Sequence, residues 1–554
     1  MKKTQFFLLL FIGILLLKSS DSYSQSVYEP VYNTDIYNFL DRLSEKGIVK
    51  LFDDIRPISR LNIAEKLLQL GEQSDKLTKI ENERLEFYKK EYAFELKFIE
   101  GDTSAISEFF KSGSTDRFKL FKYYDNNFTF DADPVLGLSY DFAEKNYHQY
   151  GGIKFKGRIG DFVGFYFDYR DNLEHGDNID REKSFSPATS VIISKSGEKK
   201  IEYSETRGGL TLGWQWGEFT MAKDFINIGS SYQSQVILSS KAPSFPFIRL
   251  DIHPVKWFRY NFIHAWLNSD LIDSNTIRYT GVTSTFEDRS KTFSKRQKYY
   301  VGHSISFQPF DNWWLTLGES IIYSDKLEFI YFLPVFYRLA DHYNSFGGGD
   351  SGDNAQIFFN TSYRWQKIKS KFYLSLYIDE LSPESLFSGG NNAQVYAVTL
   401  GGEFTNPLWD DNYLTLEYSA LKPYDYMNGD PAQTYFSSGY QLGHWIGSNA
   451  VQIYAEMEQY LPYLINLKAY FNYIIKGEKE NINDYYDRVT STYPLLAGDN
   501  SYYSDIGAEI SYNPLNDLYF ILKFGYINKA SGRFESEYNI DEDFSFVTFV
   551  RYGF

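Results

Sequence analysis

The chain contains no cysteine among its 554 residues. This absence excludes disulfides, thiol chemistry, cysteine-ligated metals and lipidation at an N-terminal cysteine. Basic residues are also in deficit, because 56 lysines and arginines stand against 72 aspartates and glutamates and give a net charge of −16. General nucleic-acid binding needs clustered basic surface, so this balance argues against it.

Long apolar runs are scarce as well. Beyond residue 24 no stretch approaches the ~18 apolar residues that a membrane-spanning helix needs, so helical membrane insertion is not expected. Residues 1–24 read as a secretory signal peptide, because Lys2 and Lys3 precede the apolar run 6–17 and small residues precede Gln25. The mature chain is therefore predicted to be exported, and a retained membrane anchor is the alternative.

Catalytic and metal-binding motifs are few. The 7 histidines are scattered and form no HExxH motif or comparable cluster, so neither a metal centre nor a cofactor is expected. Ser351 lies in a Gly-Asp-Ser-Gly string, but nothing in the sequence places a histidine beside it. His303 and Ser304 are neighbours on a predicted strand and must point to opposite faces. The chain is therefore predicted not to be an enzyme. Loop calcium sites stay open for two acidic pairs without EF-hand spacing, Asp177 with Asp180 and Asp350 with Asp353.

Aromatic residues, in contrast, are abundant: 48 tyrosines, 48 phenylalanines and 9 tryptophans make up 19% of the chain. The mean hydropathy is nevertheless −0.40, so the chain is polar on average. Amphipathic strands with aromatic girdles, a polar lumen and polar loops have this profile. The composition therefore favours a transmembrane β-barrel over a soluble sandwich.

The stretch 245–268 contains the repeating unit of the chain. Apolar and polar residues alternate on both sides of a turn predicted at Pro254-Val255, which gives each strand one apolar and one polar face. A charge on the lipid face would cost ~2–4 kcal/mol at the bilayer midplane, so the polar face is predicted to line the lumen. The residues predicted to face lipid are Ile248, Leu250, Phe258, Tyr260 and Phe262, and those predicted to face the lumen are Arg249, Asp251 and Arg259.

Residues 25–116 show a helical period instead. Thr34, Ser59 and Thr78 can each cap an amphipathic helix, and Thr78 has capping-box spacing with Glu81. Each apolar stripe needs a surface that buries it. Residues 25–116 are therefore predicted to form a periplasmic α-helical bundle, either packed against the barrel mouth or standing as an independent module.

From residue 117 to residue 554 the helical period disappears and hairpins recur. Their count predicts an antiparallel outer-membrane β-barrel of about 18 strands, with about 16 as the alternative. Short turns are predicted in the periplasm and long loops outside the cell, which is the asymmetry of such barrels. The short turns are predicted at Gly160-Asp161, Trp216-Gly217, Pro254-Val255, Pro309-Phe310-Asp311, Gln366-Lys367, Asn406-Pro407, Leu461-Pro462 and Pro514-Leu515-Asn516. The long loops are predicted at 174–204, 225–244, 269–295, 325–353, 421–446 and 476–501.

Several motifs stand in a fixed order along the chain. They are RPISR at 56–60, the stretch 216–270 around FPFIRLDIHPVKWFRYNFIHAW, FLPVFYRLADHY at 332–343 and NAQIFFNTSYRW at 354–365. Their order and spacing resemble the Wzi family of capsule-assembly outer-membrane proteins, in the form carried by Bacteroidetes-type bacteria. The resemblance implies the barrel with a helical bundle at its periplasmic mouth, and a role in holding capsular polysaccharide at the surface of a Gram-negative cell. The resemblance implies no active site. Some related proteins are linked to gliding motility.

The long loops hold the residues that could bind a ligand. Sugars stack on aromatic faces and hydrogen-bond to carboxylates and amides, so aromatic and acidic loop residues are candidates for carbohydrate binding, with loop packing or a rim girdle as the alternative. Basic loop residues could bind an anionic polysaccharide or the phosphates of lipopolysaccharide. The carbohydrate candidates are Tyr424, Asp425, Tyr426, Asn428, Trp445, Asp484, Tyr485, Tyr486 and Asp487, and the basic candidates are Arg289, Lys291, Lys295, Arg296 and Lys298.

The sequence leaves three functions in competition. The first is a non-catalytic barrel that binds or tethers capsular polysaccharide. The second is a porin or substrate channel, for which a barrel of this size has room if its lumen is open. The third is a surface interaction protein that serves gliding motility or adhesion.

Overall fold

A computed structural model describes residues 27–102, 104–111, 119–125, 127–179, 194–195, 197–280, 291–337, 352–381, 394–478, 494–515, 518–532 and 539–553. Within these ranges no helix is long and apolar enough to cross a membrane. The predicted signal peptide, residues 1–24, lies outside them.

Four helices follow one another near the N-terminus: α1 Thr34–Glu45, α2 Arg60–Glu72, α3 Lys79–Glu91 and α4 Ala93–Glu100. The side chain of Ser59 accepts a hydrogen bond from the backbone of Asn62 at the start of α2, and Thr78 and Glu81 form a reciprocal capping box on α3. Thr34, a predicted cap, is instead the first residue of α1 and follows Asn33, whose side chain makes no capping bond.

The apolar stripes of these helices pack against one another. Leu40 of α1, Leu67 of α2 and Leu85 of α3 are almost completely buried in one cluster. The amphipathic helix predicted after Thr78 is divided into α3 and α4, because the helix breaks at Tyr92. The stripes therefore bury one another as the helical period indicates, with one more helix than predicted.

Eighteen strands between Phe128 and Tyr552 form a closed antiparallel barrel. It closes where residues 547–552 of the last strand pair with residues 136–141 of the first. The strands are β1 Phe128–Asp141, β2 Asn146–Ile159, β3 Val163–Gly176, β4 Lys200–Trp214, β5 Gly217–Asp224, β6 Phe245–Val255, β7 Phe258–Ile272, β8 Lys295–Phe310, β9 Trp313–Ser324, β10 Asn354–Trp365, β11 Ser370–Leu381, β12 Gln394–Thr405, β13 Asn412–Leu421, β14 Ala450–Leu461, β15 Ile465–Gly477, β16 Asn500–Leu515, β17 Leu518–Gly532 and β18 Asn539–Tyr552.

A short hairpin separates the helices from the barrel. It consists of Ile106–Lys111 and Lys119–Tyr124, and residues 121–124 pair with residues 129–132 of β1. The predicted boundary between residues 116 and 117 falls in the connection of this hairpin, outside the described residues. The first barrel strand therefore starts at Phe128, after the hairpin.

Most predicted turns coincide with observed connections, including Gly160-Asp161, Gln366-Lys367 and Asn406-Pro407. The turn predicted at Pro254-Val255 lies two residues later, at Lys256 and Trp257. Proline has no N–H to donate to a strand partner, and here the pairing of β6 with β7 is irregular between Ile252 and Val255. The irregularity lets the strand continue through Pro254.

The two faces of the barrel wall differ in polarity. Leu317, Leu400 and Ile453 point outward, and about half of each side chain is exposed. Lumen-facing positions of the same wall hold buried polar residues such as Thr316 and Asn360. An apolar outer belt around a polar lumen is the arrangement of a transmembrane barrel.

The lumen is occupied from both ends. At the short-turn end Thr78 donates a 2.7 Å hydrogen bond to Asp411, and Arg84 donates a 3.2 Å bond to the carbonyl of Ile465. From the other end two long connections, residues 225–244 (inward loop A) and 422–449 (inward loop B), fold into the barrel and bury a shared apolar core. The helical bundle therefore docks on the barrel mouth, and both loops lie inside the wall.

Inward loop A reaches the N-terminal segment in the middle of the lumen. Ile55 and Arg56 pair with Ile228 and Asn227, and the N–H of Gly229 donates a 2.8 Å bond to the carbonyl of Asp54. The bundle and the inward loops thus form one continuous column through the barrel.

Candidate functional site

An ion-pair network fastens the N-terminal segment to the barrel wall. Arg364 of β10 lies 2.6 Å from Asp41 and 2.7 Å from Asp53, and Lys371 of β11 lies 3.1 Å and 2.8 Å from the same two carboxylates. Burial by itself would raise the pKa of Asp53, but the two cations outweigh burial and hold that pKa well below its usual range. Asp53 is therefore a buried carboxylate kept charged by its partners.

Asp54 joins the N-terminal segment, inward loop A and the wall. Its carboxylate accepts hydrogen bonds from Ser230 at 2.9 Å, from Thr316 at 2.6 Å and from Ser362 at 3.3 Å. Burial, assisted by the neighbouring charge of Asp53, raises the pKa of Asp54. This residue fixes the tip of inward loop A against strands β9 and β10.

Glu417 of β13 binds two further residues of the same loop, Tyr232 and Gln233. Its carboxylate accepts hydrogen bonds from the backbone N–H groups of Tyr232 at 2.8 Å and Gln233 at 3.3 Å, and from the hydroxyl of Tyr373 at 2.7 Å. A carboxylate that binds successive N–H groups fixes both the position and the direction of a loop. Tyr232 and Gln233 are thus presented in one orientation inside the barrel.

A cavity of about 190 Å³ lies between α1, the tip of inward loop A and the wall, and we call it the lumen chamber. Its volume is large enough for several water molecules, or for a ligand group of similar bulk. Polar and charged side chains dominate its lining, which includes Asn38, Asp41, Arg56, Tyr232, Gln233, Lys371, Glu403 and Tyr454.

Aromatic rings and a carboxylate stand together beside this chamber. The rings of Tyr232 and Tyr454 stack with centroids 6.3 Å apart, and both hydroxyls donate to Glu456. Trp445 of inward loop B is half-buried, and its indole N–H donates a 2.6 Å bond to the side-chain oxygen of Gln233. This combination of ring faces, a carboxylate and an amide suits the hydroxyls and C–H faces of a sugar.

The residues of inward loop B that were predicted to bind carbohydrate do not form an exposed patch. Tyr424 and Tyr426 are buried to within 2% of complete burial, and Tyr426 donates a 2.6 Å bond to the carbonyl of Val236. The ring of Tyr426 lies 5.0 Å from the ring of Tyr377 on the wall and 5.5 Å from the ring of Tyr435, and these two rings cover it. Trp445, also predicted in this loop, contacts a chamber residue, Gln233.

Asp425 is completely buried, and within the described residues neither of its carboxylate oxygens has a hydrogen-bond partner. Burial raises the pKa of this carboxyl well above its usual range, and the charge of Asp379 adds to the effect. Asp425 therefore belongs to the interior of the column. Asp484, Tyr485, Tyr486 and Asp487 lie outside the described residues.

The described members of the predicted basic cluster differ in exposure and in partners. Lys291 is exposed, with its amine 5.4 Å from the ring centre of Tyr279. Lys295 pairs with Asp270 at 2.6 Å. The other members are Arg296, which binds Asp325 at 2.6 Å and Asp430 at 2.9 Å; Lys298, which is buried and donates to Thr434 at 3.2 Å; and Arg289, which lies outside the described residues.

Five residues at this site were not predicted from the sequence: Tyr232, Gln233, Glu417, Tyr454 and Glu456. The three wall residues could have been noticed as carboxylates and an aromatic ring in the lumen-facing rows of β13 and β14. No pattern in the neighbouring sequence indicates that Tyr232 and Gln233 enter the barrel. Their position depends on Glu417, which lies 185 residues away from Tyr232 along the chain.

The candidates for catalysis and metal binding that lie within the described residues do not form a site. His303 and Ser304 point to opposite faces, and His303 pairs with Glu319 at 3.0 Å on the outer face while Ser304 is buried on the lumen face. Asp177 pairs with Lys199 at 2.6 Å. In the described part of the chain no three potential ligands group around a metal position. Ser351, Asp180 and Asp350 lie outside that part.

Comparison with known proteins shows similarity in fold alone. No protein-family model matches the chain, and no curated protein matches it by sequence. Wzi, an outer membrane protein involved in group 1 capsule assembly in Escherichia coli and a carbohydrate-binding β-barrel, is 13% identical, with 96% of this chain and 100% of that chain covered and a TM-score of 0.54. OprD of Pseudomonas aeruginosa is 13% identical over 76% of this chain and 94% of that chain, with a TM-score of 0.40. The chain thus has the fold of outer-membrane β-barrels.

Proposed function

We propose that this protein lies in the outer membrane of a Gram-negative cell and binds or tethers a capsular or related surface polysaccharide without catalysis. In this proposal the helices lie in the periplasm and the long loops outside the cell, where lipopolysaccharide surrounds the barrel. The carbohydrate-binding property of Wzi, whose fold is similar, supports the proposal.

The observation that carries the proposal is the group formed by Tyr232, Tyr454, Glu456, Trp445 and Gln233. Ring faces provide apolar contact with sugar C–H groups, and aromatic side chains contribute large contact areas. The carboxylate and the amide are fixed by hydrogen bonds within the group and can accept or donate to sugar hydroxyls. Tyr232, Gln233 and Tyr454 of this group also line the lumen chamber, where we expect a sugar unit to bind.

Binding of the source strain's purified surface polysaccharide to the full chain in lipid nanodiscs tests the proposal. Trp445→Ala is expected to weaken binding about tenfold, because the ring face beside Gln233 is lost. Trp409→Ala is the matched control, because Trp409 is an exposed tryptophan in a short turn at the opposite end of the barrel. Equal affinities of the two variants for the polysaccharide would contradict the proposal.

A deletion strain tests the role in the cell. Loss of the protein is expected to release surface polysaccharide into the medium, since the tether is removed. Polysaccharide that stays fully attached would refute tethering. Normal attachment combined with defective gliding or adhesion would instead point to a surface interaction protein.

A channel is the second candidate, and one observation favours it. Lys523 of β17 faces the lumen and pairs with Glu509 at 2.9 Å, yet 53% of its side chain is exposed. Exposure of a lumen-facing lysine means that water-accessible space runs beside the column near β16 and β17. Ion conductance across planar bilayers distinguishes such a channel from a closed barrel.

A further inference from the structure

The connection that follows β9 lies on the outside of the barrel. Residues 327–337, which we call the flap, place the buried side chains of Tyr331 and Tyr337 against Phe262, Val301 and Ile321 of the wall. Residues two apart on a strand share a face, so Val301 points the same way as Ile305, which is exposed. The flap therefore covers part of the outward-facing surface of β7, β8 and β9.

Polar groups lie on the wall beneath the flap. His303 Nε2 is 3.0 Å from Glu319 Oε1, and the backbone N–H of Tyr337 donates a 2.7 Å bond to the same oxygen. Nearby, His264 Nε2 lies 2.7 Å from the hydroxyl of Tyr323. Charged groups on the lipid face of a barrel are unfavourable. The flap shields this polar patch, and Glu319 in turn holds the flap through its backbone.

Aromatic contacts extend the attachment. The ring of Phe332 stacks on His264 with centroids 4.5 Å apart, and the ring of Tyr337 lies 4.3 Å from His303. Tyr331 packs on Tyr323 at 4.8 Å. These ring contacts hold the inner side of the flap against the barrel wall.

The outer side of the flap is apolar. Phe336 is 73% exposed and Phe329 is 61% exposed, and Leu333 is also exposed. Within the flap, backbone bonds join Leu333 to Ile330 and Val335 to Leu333. Backbone groups in hydrocarbon must find protein partners, and these bonds together with the Glu319 contact supply several of them.

We propose that the flap is a membrane-embedded segment whose outer surface, formed by Phe329, Leu333 and Phe336, binds the acyl chains of the surrounding lipid. The exposed apolar belt of Ile305 and Leu317 lies on the same side of the wall, and the flap continues that belt over a polar patch. This continuity selects lipid as the occupant over a second protein. The inference goes beyond polysaccharide binding, because it depends on the barrel and not on the lumen.

Site-directed spin labelling tests the proposal in the full chain. The chain has no cysteine, so a single introduced cysteine is a unique labelling site. A nitroxide at Phe336→Cys, in phosphatidylcholine vesicles, is compared with one at Leu400→Cys in the bare belt and one at Tyr279→Cys in an exposed connection. The Phe336 probe is expected to match Leu400, with collisions with oxygen and a loss of access to a water-soluble nickel chelate. A probe that matches Tyr279 overturns the proposal.

Two further measurements test whether lipid or a second copy of the chain covers the flap, and whether Glu319 anchors it. Dipolar broadening of the Phe336 probe that disappears on dilution with unlabelled chain would place a second copy on the flap and overturn the proposal.

Glu319→Leu removes the acceptor for the Tyr337 N–H, so the Phe336 probe is expected to become more mobile. Glu509→Leu is the control, because that carboxylate faces the lumen. Equal probe mobility in both variants would overturn the role of Glu319 as the anchor.

Discussion

Buried carboxylates in this protein differ according to their partners. Asp53 is surrounded by Arg364 and Lys371, whereas Asp425 is equally buried and, among the described residues, has no hydrogen-bond partner for either oxygen. Burial raises the pKa of Asp425, and no described cation opposes it there. The same residue type thus has its pKa lowered by two cations in one place and raised by burial in the other.

Asp425→Asn is expected to stabilise the protein near neutral pH. The folded-state pKa is raised, so the destabilising contribution is absent below the unfolded pKa of about 3.9 and grows as the pH rises towards the folded pKa. The gain at about pH 7 is expected to be on the order of 1–3 kcal/mol, because Asn does not have to take up a proton on folding and one pKa unit corresponds to about 1.4 kcal/mol. Urea unfolding at neutral and acid pH measures it.

Asp430→Asn is the matched control for this prediction. Burial also acts on Asp430, but Arg296 outweighs burial and lowers its pKa. Its substitution should therefore destabilise the protein at neutral pH, opposite in sign to Asp425→Asn. A loss of stability in Asp425→Asn would show that its carboxylate has a partner in solution.

The bundle and the inward loops are held in place by different kinds of contact. The helices carry their own caps and stripes and bury their apolar residues mainly against one another. Inward loop A has few regular backbone bonds of its own, and Asp54 and Glu417 hold it in place. The bundle is therefore defined by local sequence, and the loop by distant partners.

Removal of residues 27–102 is expected to raise the conductance of the barrel in planar bilayers. The bundle fills the short-turn end of the lumen. Without it, the water-accessible space beside Lys523 is expected to connect the two ends of the barrel. Lys523→Glu in the full chain should shift ion selectivity towards cations if ions pass along this side. A conductance unchanged by the deletion would show that the inward loops alone close the lumen, and intact strand content by circular dichroism is the control.

The whole molecule depends on contacts between the N-terminal segment and the middle of the barrel. The pairs Asp41–Arg364 and Asp53–Lys371 join residues more than 300 positions apart. Removing one partner of a buried ion pair leaves an uncompensated charge, which is more damaging than losing an exposed pair. Docking of the bundle is therefore coupled to the stability of the wall.

Asp53→Asn is expected to destabilise the full chain by about 3–5 kcal/mol at neutral pH. The folded-state pKa of Asp53 is depressed, so its contribution is present above the unfolded pKa and is lost as the pH falls through the folded pKa. The difference between the two proteins in urea unfolding should therefore shrink in acid. Lys50→Ala, which breaks an exposed pair with Asp311, should leave stability unchanged, and equal effects of the two substitutions would contradict the prediction.

The architecture was predictable because it depends on local patterns. Alternation with a period of two fixed the strands and their outward faces, and Pro, Gly and Asn fixed most short turns. Residues with capping spacing, such as Thr78 with Glu81, marked the helices. Each of these signals acts between residues close in the chain, so the sequence contains it directly.

The site was not predictable in the same way. Long loops have no period, and the sequence of inward loop B does not show whether Tyr426 faces solvent or inward loop A. The partners that decide this are distant: Val236 for Tyr426, Glu417 for Tyr232 and Glu319 for the flap. By itself the sequence determined a barrel with a helical domain, because backbone periodicity is local. The tertiary structure alone decided which loops fill the lumen and which lies on the outer wall, because burial and charge pairing depend on contacts between remote segments.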